Sequence, residues 1–278
     1  MQLDLDHLRG WIGREESASE LMTPVLAQRF NAMLDREGDT APGADAPRMV
    51  HYCLCQPAAP TAELGEDGHP SRGGFLPPVP LPRRMRAGST MEFTGEIRIG
   101  ETVSRVSRIL DVSAKEGRSG LLCFVTLEDS YASDGRPVLT ERTDIVYRGP
   151  AGEEKAKAAP PPAPAGAHVR TVTPTPPLLF RYSAVTFIGH RIHYDLPYAR
   201  EVEGYPGLIV HGPLQGTMLV HMAQDLRGAL PARVTVRAMS PIFDTADFTL
   251  NATDDGEGMK LWTASANGPV GMEARVQW

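Results

Sequence analysis

Four strand-length runs follow one another across residues 90–148 with no helix between them, and no other stretch narrows the fold so far. MEFTGEIRI, ETVSRVSRILDVSA, GLLCFVTLEDSYAS and PVLTERTDIVYR alternate apolar and polar residues with a period of two. Gly100, Glu116-Gly117 and Asp134-Gly135 break the runs. Strands joined by such short turns run antiparallel, because a parallel crossover takes about a dozen residues. Such a sheet needs an apolar partner on one face. Helix-like spacing predicts two helices ahead of it, over residues 3–12 and 17–34, the second with Ser17 or Ser19 as N-cap.

Residues 149–167 combine charge, alanine and clustered proline without apolar periodicity (GPAGEEKAKAAPPPAPAG) and read as a linker. The division this predicts is an N-terminal half over 1–148 and a C-terminal half over 168–278, in keeping with a 278-residue chain. The second half has an apolar start over 178–186, a histidine-rich loop and a helix over about 207–226. Strands follow near 234–240, 247–252, 259–266 and 272–278. Helix beside antiparallel strands is expected in both halves, an α+β chain, with no strong residue-level repeat between them.

The net charge of −6 and the lack of a Lys/Arg block interleaved with aromatics give no reason to expect nucleic acid. No apolar run reaches 18 residues, and residues 1–14 lack the zones of a signal peptide, so a cytoplasmic protein that does not engage membranes is expected. Cys53, Cys55 and Cys123 are too few for a disulfide framework, and one Cys-x-Cys pair is weak evidence for zinc. Buried or half-buried thiols are expected, with no metal and no organic cofactor.

The densest ionisable set lies in FRYSAVTFIGHRIHYDLPYA, where His190, His193 and Asp195 fall within six residues, with His211 following in GLIVHGPLQG. Histidine titrates near neutrality, at about 6.5, so His193 is the leading proton-transfer candidate, with Asp195 or His190 beside it. His211-Gly212-Pro213 precedes an apolar helix whose first backbone N–H groups suit a developing negative charge. Arg83, Arg84 and Arg86 come together after a proline-rich stretch and suit the phosphates of coenzyme A, although a solvated loop is an equal reading. His51 and His69 read as structural.

FRYSAVTFIGHRIHYDLPYA followed by EGYPGLIVHGPLQ resembles the MaoC-like hydratases. The likeness is to their double hot-dog branch, which contains mesaconyl-C4-CoA and itaconyl-CoA hydratases and the 3-hydroxyacyl-thioester dehydratase. GGFLPPVPLPRRMRAGSTMEF, GRSGLLCFVTLE and LTERTDIVYRGP resemble the N-terminal half of that branch. The resemblance implies two antiparallel sheets, each wrapped around a helix, and an acyl-CoA partner bound between the halves. It also implies a homodimer. The hydratase signature reads aspartate, any residue, asparagine, proline, an apolar residue, histidine; the histidine falls on His193, the asparagine on His190 and the aspartate on Ile188.

Isoleucine cannot move a proton, which leaves three readings. His193 works with Asp195 or His190, its partner comes from the other half, or activity is weak or altered. The activity implied is reversible hydration of a short branched or dicarboxylic enoyl-CoA, with Gly212 and His211 at the thioester carbonyl and Arg181 or Arg191 for a free substrate carboxylate. The alternatives are a 3-hydroxyacyl-thioester dehydratase of fatty-acid synthesis, a non-catalytic acyl-CoA-binding protein and, least favoured, a thioesterase.

Overall fold

A computed structural model describes residues 3–117, 120–149 and 160–278. The first half supplies helix α1 (Leu5–Arg9), strand β1 (Glu15–Leu21), helix α2 (Pro24–Met33) and strands β2 (Arg83–Phe93), β3 (Thr102–Gly117), β4 (Gly120–Ser133) and β5 (Arg136–Arg148). The second supplies β6 (His168–Val172), helices α3 (Pro176–Val185) and α4 (Gly212–Arg227), and strands β7 (Arg233–Ala238), β8 (Phe248–Asp254), β9 (Met259–Ser265) and β10 (Val270–Gln277).

The strands form one ten-stranded sheet in the order β1-β3-β4-β5-β2-β7-β10-β9-β8-β6. Every neighbouring pair is antiparallel. The order is a palindrome of connectivity. If β6 to β10 are counted as first to fifth, each half reads first-third-fourth-fifth-second, and the two second strands join at the centre, from Gly88↔Arg237 to Glu92↔Arg233. The two expected sheets are therefore joined edge to edge.

The repeat extends to the helices. α2 and α3 both open on Thr-Pro, and the side chains of Thr23 and Thr175 accept the N–H groups of Leu26 and Leu178, the usual N-cap arrangement. Val50-His51-Tyr52-Cys53-Leu54 stands in the first half where Val210-His211-Gly212-Pro213-Leu214 stands in the second. The second sequence continues into the sixteen residues of α4, whereas the first makes only the 3₁₀ turn Val50–Cys53.

α4 buries Leu214, Leu219, Val220, Met222 and Ala223 against β7 to β10. Each fully buried aliphatic side chain contributes roughly 1.5–3 kcal/mol. The core runs on without a break through Phe30, Leu54 and Val103 of the first half. A smaller core joins Leu8, Val79, Leu81, Ile109 and Tyr147 beneath the proline-rich stretch.

The helix expected over 17–34 is shorter than its pattern. Residues 15–21 pair with β3 as an edge strand, from Glu15↔Arg108 to Leu21↔Thr102, and the N-cap is Thr23, not Ser17 or Ser19. The first of the four expected strands begins earlier, at Arg83, and ends at Phe93. Ile97 and Ile99 instead bond the backbone of Ala44 and Ala46. Strand β6 is a largely exposed edge whose sequence gives no apolar alternation. Of the linker, residues 150–159 lie outside the described residues, while Ala163 and Pro164 hydrogen-bond Gly268 and the Trp262 indole.

Candidate active site

Between α3 and α4 the chain makes a single 3₁₀ turn, Arg191–His193, which turns the His193 ring inward to 8% exposure. Its Nδ1–H donates to the carbonyl of Ile209 at 2.8 Å. A carbonyl only accepts, so this bond fixes the tautomer and leaves a lone pair on Nε2. Burial, and after it the neighbouring His190, push the His193 pKa down to about 3. The ring is therefore neutral near pH 7, the state a base toward water requires.

His211 is the N-cap residue of α4, and its ring stacks on that of His193 at 3.7 Å and 18°. Its Nε2 shares a 2.8 Å hydrogen bond with Ser183 Oγ from α3, and Tyr182 packs on the ring at 4.9 Å. Burial, then His193, holds its pKa well below the ordinary value. No side chain caps the start of α4, and Gly212 there is half-buried rather than sealed. The helix start thus presents partial positive charge beside the imidazole pair.

The first half also reaches this site. Residues 65–69 form a tight turn closed by Gly65 N–H to His69 O at 2.7 Å. Asp67 accepts both the backbone N–H of His69 and its Nδ1–H, each at 3.0 Å. The turn docks on residues 189–191: Arg191 N–H donates to Asp67 O at 3.0 Å, and the Arg191 guanidinium to Glu66 O at 3.1 Å. Two glycines permit the approach. A Cβ on Gly68 would lie 2.0 Å from Gly189 O, and one on Gly189 2.6 Å from Gly68 O. Rings then follow in series, His69 to His190 at 4.2 Å and His190 to His193 at 5.5 Å. Burial, then His69, pushes the His190 pKa down to about 3. Burial opposes ionisation of Asp67, but the hydrogen bonds from His69 and the charge of Arg84 outweigh it and hold its pKa low.

Asp67, His69 and His190 bring ligand atoms within 4.8 Å of one another, the one grouping among the described residues able to hold a metal ion. Two features weigh against a cation there. Asp67 Oδ2 already accepts the His69 Nδ1–H, and Arg84 Nε lies 3.9 Å from the same oxygen.

Of the residues singled out in the sequence, His190, His193, His211 and Gly212 converge. Asp195 does not join them: its oxygens accept from Arg191 at 2.8–2.9 Å and from the N–H of Tyr198 at 3.1 Å, so it orders its own loop. Arg191 is engaged by that pair and by Tyr198, whose ring its guanidinium covers at 4.0 Å, so it is no free cation for a substrate carboxylate. Arg181 is exposed on α3, at the rim of a cavity of about 500 Å³ shared with Arg36, Arg170 and His221 and lined by none of the three converging histidines.

The expected arginine cluster is also dispersed. Arg83, Arg84 and Arg86 lie in strand β2, and each has an internal partner. Arg83 pairs with Glu203 at 2.9 Å, Arg84 lies 3.4 Å from Pro70 O, and Arg86 pairs with Glu141 at 2.8 Å. Strand alternation sends Arg83 to the face opposite Arg84 and Arg86, and all three are tied to different partners, so they do not make one grip. Ile188 packs against the main core and offers no polar group at the aspartate slot.

Sequence reasoning missed Asp67, Ser183 and the place of His69 at the site. The Asp-Gly-His spacing marks a turn in which a carboxylate can bond its own neighbours, but nothing local tells which distant loop that turn meets. The cysteines are thiols, as expected; burial pushes Cys123 up to about 11. No helix among the described residues is long and apolar enough to cross a membrane.

The sequence matches the family described as hydroxyacyl-thioester dehydratase type 2 over residues 49–244. It is 41% identical to the mesaconyl-C(4)-CoA hydratase of Chloroflexus aurantiacus over 278 aligned positions, covering 96% of each chain. A MaoC-like dehydratase from Phytophthora capsici shares the fold over 99% of both chains, with a TM-score of 0.69 at 15% identity. A Mycobacterium tuberculosis protein described as a double hotdog fold gives a TM-score of 0.59 at 14% identity over 95% of both chains.

Proposed function

The chain belongs to the hydroxyacyl-thioester dehydratase type 2 family, and on that premise we propose that it reversibly hydrates a short branched or dicarboxylic enoyl-CoA of the mesaconyl-C4-CoA or itaconyl-CoA type. The observation that carries the reading is His193, with Nδ1 pinned to Ile209 O and a lone pair left on Nε2 beside the uncapped start of α4. In the hydration direction Nε2 takes a proton from water as the water oxygen bonds the β-carbon. The electron pair of the double bond moves toward the thioester oxygen, whose growing charge is met by the helix start at Gly212. Protonation of the α-carbon completes the addition. His211, stacked on His193 and fixed by Ser183, holds the base in place.

The substrate class rests on the 41% identical relative, which is matched along nearly its whole length. The dehydratase direction, on a longer 3-hydroxyacyl chain, is the second reading. It is favoured by the family description and by a Schizosaccharomyces pombe mitochondrial relative, 34% identical over 34% of this chain. A panel of mesaconyl, itaconyl, crotonyl and longer enoyl thioesters, followed spectrophotometrically and by mass, separates the two. Best turnover on a four- or five-carbon branched or dicarboxylic substrate is expected. A clear preference for chains of eight carbons or more supports the second reading, and binding without turnover removes both.

A further inference from the structure

Adding water across a double bond requires two proton transfers, one from water and one to the α-carbon. His193 is placed for the first. The slot from which related hydratases supply the other group holds Ile188.

The first half supplies a replacement. Two histidines approach carboxylates among the described residues, and they differ sharply. His51 meets Glu141 at 3.5 Å with both side chains 1% exposed, sealed in the core. His69 meets Asp67 at 3.0 Å with 27% and 23% exposure, open to a ligand and next in line to His190 and His193. The turn that carries this pair is fastened to the histidine loop by the Arg191 hydrogen bonds and by the Gly68–Gly189 approach, so the two halves present one site.

We propose that Asp67 and His69 form the second proton-handling unit of the hydration, with His69 delivering the proton to the α-carbon in place of the carboxylate missing at position 188. The assignment rests on the hydratase reading above. Asp67 accepts Nδ1–H, which orients the ring and makes Nε2 the atom that exchanges protons. His193 Nε2 gains a proton from water while the water oxygen bonds the β-carbon, and the double-bond electrons form the enolate. The proton on His193 passes through the intervening His190 or through solvent to His69 Nε2, and the charged His69 ring then gives it to the α-carbon as the carbonyl re-forms, which leaves both imidazoles neutral and resets the site. The charged and titratable groups around His69 are Asp67, His190, Arg84 and Arg72. Burial first, and then the two arginines, hold the His69 pKa below its ordinary value against the opposing pull of Asp67, so the ring rests neutral and, once charged, gives its proton up readily.

The test uses the full chain with its best substrate from the enoyl-CoA panel. His69→Gln keeps a side-chain amide able to bond Asp67 but cannot carry a proton. A kcat lower by roughly 100-fold or more is expected, with KM and unfolding midpoint near those of the parent. Partial recovery of His69→Ala with added imidazole is expected as well. A His69→Gln enzyme within about threefold of the parent overturns the assignment. So does loss of activity to a chelator with recovery on a divalent cation, which would make Asp67, His69 and His190 a metal site. If the parent is active, His193→Ala is dead and His69→Gln is active, only this inference fails. A parent inactive on every thioester defeats the hydratase reading itself.

Discussion

His51 and His211 occupy equivalent places in the two halves, each following a valine and each a few residues before a leucine that enters the core, yet they have opposite fates. In the second half the chain runs from His211 straight into α4, and the ring packs on His193 at the open helix start. In the first half the chain makes one 3₁₀ turn after Val50 and leaves. His51 is shut in with Glu141. Burial would raise that carboxyl, but Arg86 and His51 outweigh it and hold its pKa at about 2. A buried pair of this kind is costly to break, because the group left behind loses its compensation. The same sheet order therefore carries a packing cluster in one half and the candidate site in the other. What the first half gives up in helix it uses as loop, and that loop returns Asp67 and His69 to its neighbour's site.

If the halves form one site through the Gly68–Gly189 approach, adding a methyl group there should do more than strain a turn. Gly68 and Gly256 both have left-handed backbones, at φ +84 and +83, but a Cβ on Gly256 meets nothing within 4 Å. Gly256→Ala should cost about 1–2 kcal/mol from backbone strain alone. Gly68→Ala should cost roughly 1–3 kcal/mol more, since its Cβ is driven into a backbone oxygen, and should lower kcat by moving His69. Denaturant unfolding and turnover measured on both variants check this, and equal losses would break the claim of a shared site.

A smaller effect concerns pH. His190 and His193 fall from the ordinary 6.5 to about 3, and His221 to about 4, burial being the first cause in each case. Below about pH 6.5 the unfolded chain takes up protons that the folded chain refuses, so stability is full above that value and declines as the medium is acidified toward pH 4. His193→Gln should make that decline shallower between pH 7 and 4.5 in denaturant titrations, and an unchanged slope would contradict the burial assigned to this ring. The smallest effect is expected at Asp195. Its partners are Arg191 and a backbone N–H at the surface, so Asp195→Asn should keep kcat within about threefold of the parent, in line with the modest worth of exposed ion pairs.

Much of this was legible in the chain. The long strands announce themselves by alternation and turn residues, and His193, His211 and Gly212 by a dense motif before an apolar helix. Edge strands were harder, because β1 and β6 bury little and so carry no apolar alternation. The arginines of β2 misled because proximity in a strand is not convergence in space. The internal repeat was nearly invisible, surviving at Thr23-Pro24 against Thr175-Pro176 and in Val50-His51 against Val210-His211, where capping and the core still impose the same residues. The place of His69 is hidden for a different reason: its turn is local, but the turn docks on a loop more than a hundred residues away.

The most direct test of the central claim is hydration of the best enoyl-CoA by the parent protein and by His193→Ala, measured side by side by loss of enoyl absorbance and by the mass of the hydroxyacyl product. Turnover by the parent with a loss of roughly 100-fold or more in the variant is the predicted result. Comparable rates in both proteins would contradict His193 as the base.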